Sequence, residues 1–143
     1  INDRLAVFSD ILSFLECVVS RNYVAIDFYD GSIMYDFVNG KTTICDIDLF
    51  RKQPCVNDMG HMWGSSRFQS PEEHQLGADI DEITNVYTLG ATAFALFGEY
   101  NRTREKWQLS DKLFEIATRA VSDDRTKRQQ SIRQFTAEWE AAQ

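Results

Sequence analysis

Val24-Ala25-Ile26-Asp27 and Thr42-Thr43-Ile44-Cys45-Asp46 are two short apolar runs that each close on an aspartate, and the reading of the whole chain turns on them. Between them Ile33 to Phe37 and the Asn39-Gly40 pair predict a β-hairpin with a tight turn. Such a unit delivers two carboxylates to one place, which is the raw material of metal or proton chemistry. Two unrelated, solvated strand-end aspartates write the same pattern, so the flanking sequence has to separate the two readings.

Composition sets the bounds. A chain of 143 residues, 43% of them hydrophobic and 13% aromatic, is enough for one domain, residues 1–143, with a genuine core. Its 22 acids against 15 lysines and arginines give a net charge of -7, which argues against nucleic acid or an anionic membrane as partner. The cysteines, Cys17, Cys45 and Cys55, are odd in number and lack Cys-x-x-Cys spacing. Neither a disulfide framework nor a zinc site is expected, and a reducing, cytoplasmic location fits best. The apolar stretches are too interrupted to cross a bilayer. Ile1-Asn2-Asp3 runs straight into a helical pattern, as expected of a start inside a larger protein.

Leu5, Phe8, Ile11, Leu12, Leu15, Val18 and Val19 recur at helical spacing, with Val7 and Phe14 widening the stripe, and predict a packed helix over about residues 4–20. Tyr23 to Ile26, Ile33 to Phe37 and Thr42 to Ile47 read as short strands, too small a sheet to fold alone. From Asp48 to Gln69 periodicity vanishes, and a loop of that length inside a compact domain points to function. Ser70-Pro71-Glu72-Glu73 opens a short helix, with Ser70 as N-cap, Pro71 at the first helical position and Glu73 closing a capping box. Ile83 to Phe97 is apolar on nearly every face and predicts a central helix surrounded by protein. Two further helices follow, over Ser110 to Val121 and Ser131 to Ala142, the second with Phe135 and Trp139 on one face.

The fixed order of these parts, a helix, a small hairpin sheet with two aspartates, an irregular loop ending in Ser-Pro-Glu, and a greasy central helix, resembles the C-terminal lobe of a protein kinase. The family's His-Arg-Asp-Leu-x-x-x-Asn frame is filled by Ala25-Ile26-Asp27-Phe28-Tyr29-Asp30-Gly31-Ser32. Its Asp-Phe-Gly motif is matched by Asp46-Ile47-Asp48, its Ala-Pro-Glu by Ser70-Pro71-Glu72, and the preceding Gly-Thr by Gly64-Ser65. Asn85-Val86-Tyr87-Thr88-Leu89-Gly90 stands for Asp-x-Tyr/Trp-Ser-x-Gly, and Arg128 for the late arginine that pairs with the Ala-Pro-Glu glutamate. Each motif alone is weak; their joint order spans nearly the whole chain. The resemblance implies a mainly α fold with a small β-hairpin sheet, that is, the α+β large lobe of an atypical Ser/Thr-type protein kinase.

It also implies roles. Asp27 would orient the attacking hydroxyl and Asp46 would hold magnesium on ATP. Ser32 stands where the second metal ligand, an asparagine, is expected, and its hydroxyl is a poorer donor. Asp48, in place of the glycine, is either a supplementary metal ligand, as in the Asp-x-Asp/Glu of aminoglycoside and choline kinases, or a solvated loop acid. Ser65 would lie in the loop that meets the substrate. Glu72 with Arg128, and Asn85 with the backbone near Asp27, would be structural. Ile26 replaces the arginine that clamps a phosphorylated loop, so constitutive geometry is expected, and Tyr29 replaces the catalytic-loop lysine. Gly98 to Leu109 is too short for the usual substrate-docking helix. No glycine-rich loop, Val-Ala-Ile-Lys strand or partner glutamate occurs in these residues. The missing N-terminal lobe that grips ATP would therefore be the first partner, the fragment alone would be inactive, and its exposed inter-lobe face would be prone to self-association. Two other functions suit the same residues: a pseudokinase interaction module, or a small-molecule phosphotransferase. The acceptor, protein or otherwise, is open. His61 and His74 read as ordinary polar positions, and Trp63, Trp107 and Trp139 as packing residues.

Overall fold

The computed structural model describes residues 1–143 as a mainly α fold with three small antiparallel β-ladders. Helix α1 covers Asn2–Ser20 and buries Val7, Phe8, Ile11, Leu12, Leu15 and Val18, the stripe the periodicity predicts. Helix α2, Glu82–Phe97, is buried without a break from Thr84 to Phe94. Asp81 caps it, accepting a hydrogen bond from Ile83 N at 2.9 Å, while Asp81 N donates to Thr84 Oγ1 at 3.2 Å. Helices α3, Asp111–Ala120, and α4, Ile132–Ala141, start at Ser110 and Ser131, whose hydroxyls accept from Leu113 N and Gln134 N.

These four helices meet around one core. Phe8 of α1 lies against Phe97 of α2 and Trp139 of α4, with ring centroids 5.9 and 4.6 Å away, and Trp107 packs on Phe94 and Phe97. Close approach of α2 and α3 needs Gly90: a Cβ there would stand 2.8 Å from the side chains of Ala120 and Val121. Trp107 and Trp139 are buried, as expected, but Trp63 is 56% exposed, so its reading as a packing residue is corrected. No helix is long and apolar enough to cross a membrane.

The β elements correct the expectation in two respects. Strand β2, Ile33–Asp36, pairs with β3, Lys41–Ile44, as the predicted hairpin, but β1, Tyr23–Val24, pairs with β4, Arg51–Lys52. Strand β5, Cys55–Val56, pairs with β6, Asp79–Ile80. The strand ahead of Asp27 is thus in a separate ladder from the one ahead of Asp46. The turn is also longer than predicted. Asp36 pairs with Lys41, enclosing Phe37 to Gly40, because the Asp36 carboxylate accepts from Val38 N, Asn39 N and Asn39 Nδ2 and holds a four-residue loop closed.

Pro71–His74 forms a single 3-10 turn with the predicted capping box: the Glu73 carboxylate accepts from Ser70 N at 2.7 Å and Ser70 Oγ at 2.9 Å. Burial pushes the Glu73 carboxyl up to about 7, over the lowering effect of the Ser70 bonds. Its neighbour Glu72 goes the other way. Burial pushes it up too, but the two Arg128 hydrogen bonds, 2.7 and 2.9 Å, and the Arg128 and Arg125 charges outweigh that and hold it below the usual carboxylate range. Arg128 is itself buried, with Nε donating to Ser122 O and its guanidinium over the Tyr87 ring.

Two outcomes follow for stability. Arg128→Ala leaves Glu72 a buried, poorly compensated charge and should cost about 3–5 kcal/mol in urea unfolding, more than the paired Glu72→Gln/Arg128→Met change. For Glu73 the folded carboxyl holds its proton more tightly than the unfolded one, so its contribution to stability is present at pH 4 and lost as the pH rises through about 7. Glu73→Gln should therefore match the wild type near pH 4 and exceed it by up to roughly 3 kcal/mol at pH 8, read from unfolding curves at the two pH values.

Candidate active site

Asp27 is positioned from behind. Ala25, two residues before it, donates its N–H to Asn85 Oδ1 at 2.8 Å and accepts from Asn85 Nδ2 at 2.8 Å. One buried amide on the first turn of α2 thus satisfies both backbone groups of a buried residue, which no carboxylate does, since it has no proton to give. Asp27 and Asp46 then both leave their strands with positive φ, 57° and 55°. Aspartate is one of the few residues with a side chain that enters this region routinely.

Ser32 joins the two acids. Its N–H donates to Tyr29 O at 2.9 Å, closing the 3-10 turn Asp30–Ser32. Its carbonyl accepts from Cys45 N at 2.9 Å, one residue before Asp46, and its hydroxyl reaches Asp27 O at a long 3.5 Å. A Cβ on Gly31 would meet the Tyr29 ring at 2.4 Å, so a larger residue there requires that ring to swing aside. The outcome is electrostatic. Burial, then the charges of Asp46 and Asp48, raise the Asp27 carboxyl above the ordinary aspartate range.

Asp27 is half-buried, whereas Asp46 and Asp48 are exposed. No three His, Cys, Asp or Glu side chains gather into a cage for an ion. Magnesium does not need one, since it is commonly held by one or two carboxylates plus substrate phosphates, and Asp46 and Asp48 offer hard oxygens of that kind. Ser32 does not fit the ligand role: it has no exposed surface, and its hydroxyl faces the Asp27 carbonyl.

The remaining residues lie elsewhere. Ser65, half-buried, uses its carbonyl to accept from Phe68 N and Gln69 N, which turns the 57–69 loop. Glu72 and Arg128 fasten the end of that loop near the start of α2, where Arg128 also reaches Ile83 O. Sequence reasoning passed over Tyr100, whose hydroxyl donates to Asp30 at 2.5 Å and whose ring carries the Arg67 guanidinium 5.1 Å away. It sits just after α2 at φ 62°, in the Gly98 to Leu109 stretch whose only regular element is the one-turn Arg104–Lys106. No local pattern marks it, because its partner is 70 positions away.

No protein-family model matches this chain, and no curated protein matches it either.

Asp27 provides a direct check on this geometry. A carboxyl whose folded pKa is raised loses stabilisation as it ionises, so its charge works against the fold at neutral pH. Asp27→Asn, which keeps the shape and tolerates positive φ, should melt at a higher temperature than the wild type at pH 7. The gap should close as the pH falls below the ordinary aspartate range, as followed by circular dichroism.

Proposed function

We propose that these residues are the C-terminal lobe of an atypical protein kinase, which transfers the γ-phosphate of ATP to a protein hydroxyl when joined to an ATP-gripping lobe. The observation that carries this reading is the pairing of Asp27 and Asp46, at the two ends of the β2–β3 hairpin, both at positive φ and within electrostatic reach of one another. Support comes from the scaffold around them: the Asn85 clamp on Ala25 and the buried Glu72–Arg128 pair occupy the places the resemblance assigns them.

Phosphoryl transfer is mostly positioning and charge neutralisation. Asp27 accepts or orients the proton of the acceptor hydroxyl, and its raised pKa makes it a better base than an ordinary aspartate. Asp46, with Asp48 beside it, would hold Mg2+, which supplies charge neutralisation at the phosphate oxygens. Ser32 braces the loop instead of binding metal. The exposed Phe37, Val38 and Ile47, together with the apolar pocket of about 320 Å³ between Phe14, Val18, Tyr23 and Phe50, belong in this reading to the face that meets the other lobe. Alone, the lobe would be inactive and inclined to self-associate through that face.

A pseudokinase is the second reading, and the withdrawn Ser32 hydroxyl favours it. The two separate in one assay on the protein that carries both lobes: transfer from labelled ATP to mixed proteins and to small hydroxyl compounds. The proposal expects magnesium-dependent labelling of protein, with Asp27→Asn and Asp46→Asn, both of which tolerate positive φ, each lowering kcat by about a hundred- to ten-thousandfold at unchanged melting temperature or a higher one. Nucleotide binding with no transfer to any acceptor would instead establish the pseudokinase, and labelling confined to small hydroxyl compounds would establish a small-molecule phosphotransferase.

A further inference from the structure

The chain has only two histidines, thirteen positions apart, and the fold brings them into contact: His61 Nδ1 and His74 Nδ1 stand 2.7 Å apart on the surface. Their approach is built into the backbone. Met62 N donates to Glu73 O at 2.9 Å, both residues are buried, and the histidines are the outer neighbours of that bond. Asn57, with no exposed surface, fixes the His61 side: its Nδ2 donates to Gly60 O and Glu72 O, and its Oδ1 accepts from Met59 N and Gly60 N. On the other side His74 ends the turn locked by the Ser70–Glu73 capping box. Both rings are therefore carried on preorganised backbone, which lowers the ordering cost of binding something between them.

The ring geometry says what that is. An N–H···N hydrogen bond favours a near-linear approach, and at this nitrogen separation a linear pair would have ring centroids about 5 Å apart. The observed centroids are 4.5 Å apart with planes inclined by 44°, so the rings lean off the nitrogen–nitrogen line. Two metal–nitrogen bonds of about 2.0–2.1 Å meeting at a right angle put the nitrogens about 2.9 Å and the centroids about 4.5 Å apart. Opened to the tetrahedral angle, the same bonds give about 3.3 and about 5.2 Å. The pair, joined without an ion by a 2.7 Å hydrogen bond, lies nearer the first arrangement than the second.

We propose that His61 and His74 form a two-imidazole site for a late first-row divalent ion with right-angle coordination, Ni2+ or Cu2+, held through both Nδ1 atoms. Imidazole suits these ions, and square-planar or octahedral geometry provides the right angle that tetrahedral zinc does not. No third His, Cys, Asp or Glu stands with the pair, so water fills the remaining positions and leaves the ion open to an outside ligand. Bound there, it ties the 57–62 loop to the turn that carries Glu72 and Glu73, at a place separate from Asp27 and Asp46.

The test is isothermal titration of the chain, prepared without added histidines, with NiCl2, beside His61→Ala, His74→Ala and Cys17→Ser. Both histidines are exposed, and melting curves without metal check that the variants fold. The expected result is one ion per chain and a rise in melting temperature on adding the ion. Each histidine replacement should weaken binding by about tenfold or more, while Cys17→Ser leaves it unchanged. Electron paramagnetic resonance of the Cu2+ form should show coupling to two imidazole nitrogens. No saturable binding, binding indifferent to both histidine replacements, or binding lost with Cys17→Ser would overturn the proposal.

Discussion

Two hydrogen bonds from the Asn85 side chain to Ala25 hold the candidate site to the core, and much of the remaining structure serves to keep Asn85 where it is. Asn85 is on the first turn of α2, the helix buried among α1, α3 and α4, so its amide inherits the rigidity of the best-packed element in the molecule. Ala25 belongs to a segment whose two-residue strand offers little stability of its own. An unpaired backbone group at that depth would be costly, and the clamp removes two such groups at once. What reaches Asp27 is therefore the order of the helical core, passed on through one amide.

The same economy of means recurs at Ser32 and at Glu72. Ser32 uses its N–H, carbonyl and hydroxyl on three different residues, and so keeps the Asp27 turn and the end of β3 in register although β1 and β3 share no ladder. Glu72, with Arg128 and Arg125, pins the far end of the long loop to the region where α2 begins. The loop between Asp48 and Gln69 is thus tied down at both ends and by Asn57 in the middle, with ladders of only two residues within it. Polar bonds work here beside a small apolar cluster of Val24, Ile26, Met62 and Ile80, separate from the main helical core.

That difference explains what could be read in advance. The helices were legible because their signals are local: the apolar stripe of α1, the continuous greasiness of α2, and the capping box at Ser70 each act within a few positions. The candidate pair Asp27 and Asp46 was legible from the two runs that end on them. The β1–β4 pairing was not, since Tyr23 meets Lys52 with no pattern in either to announce it. Nor was the four-residue turn, where the Asp36 side chain overrides the Asn39-Gly40 preference. Trp63 was misread because a tryptophan in a loop gives no periodicity from which to judge burial. His61 and His74 escaped because contact across thirteen positions of irregular chain depends on the Met62–Glu73 bond, which involves backbone alone.

The central claim is that Asp27 and Asp46 form one electrostatic unit held by this frame, and the Asp27 carboxyl itself reports on it. Its titration can be followed through the side-chain carboxyl carbon by NMR in the wild type, Asp46→Asn and Asp48→Asn. The account predicts that Asp27 titrates above ordinary aspartates, that either replacement brings it down, and that Asp46→Asn does so more than Asp48→Asn. An Asp27 that titrates in the ordinary range, or that is indifferent to the loss of Asp46, would contradict it.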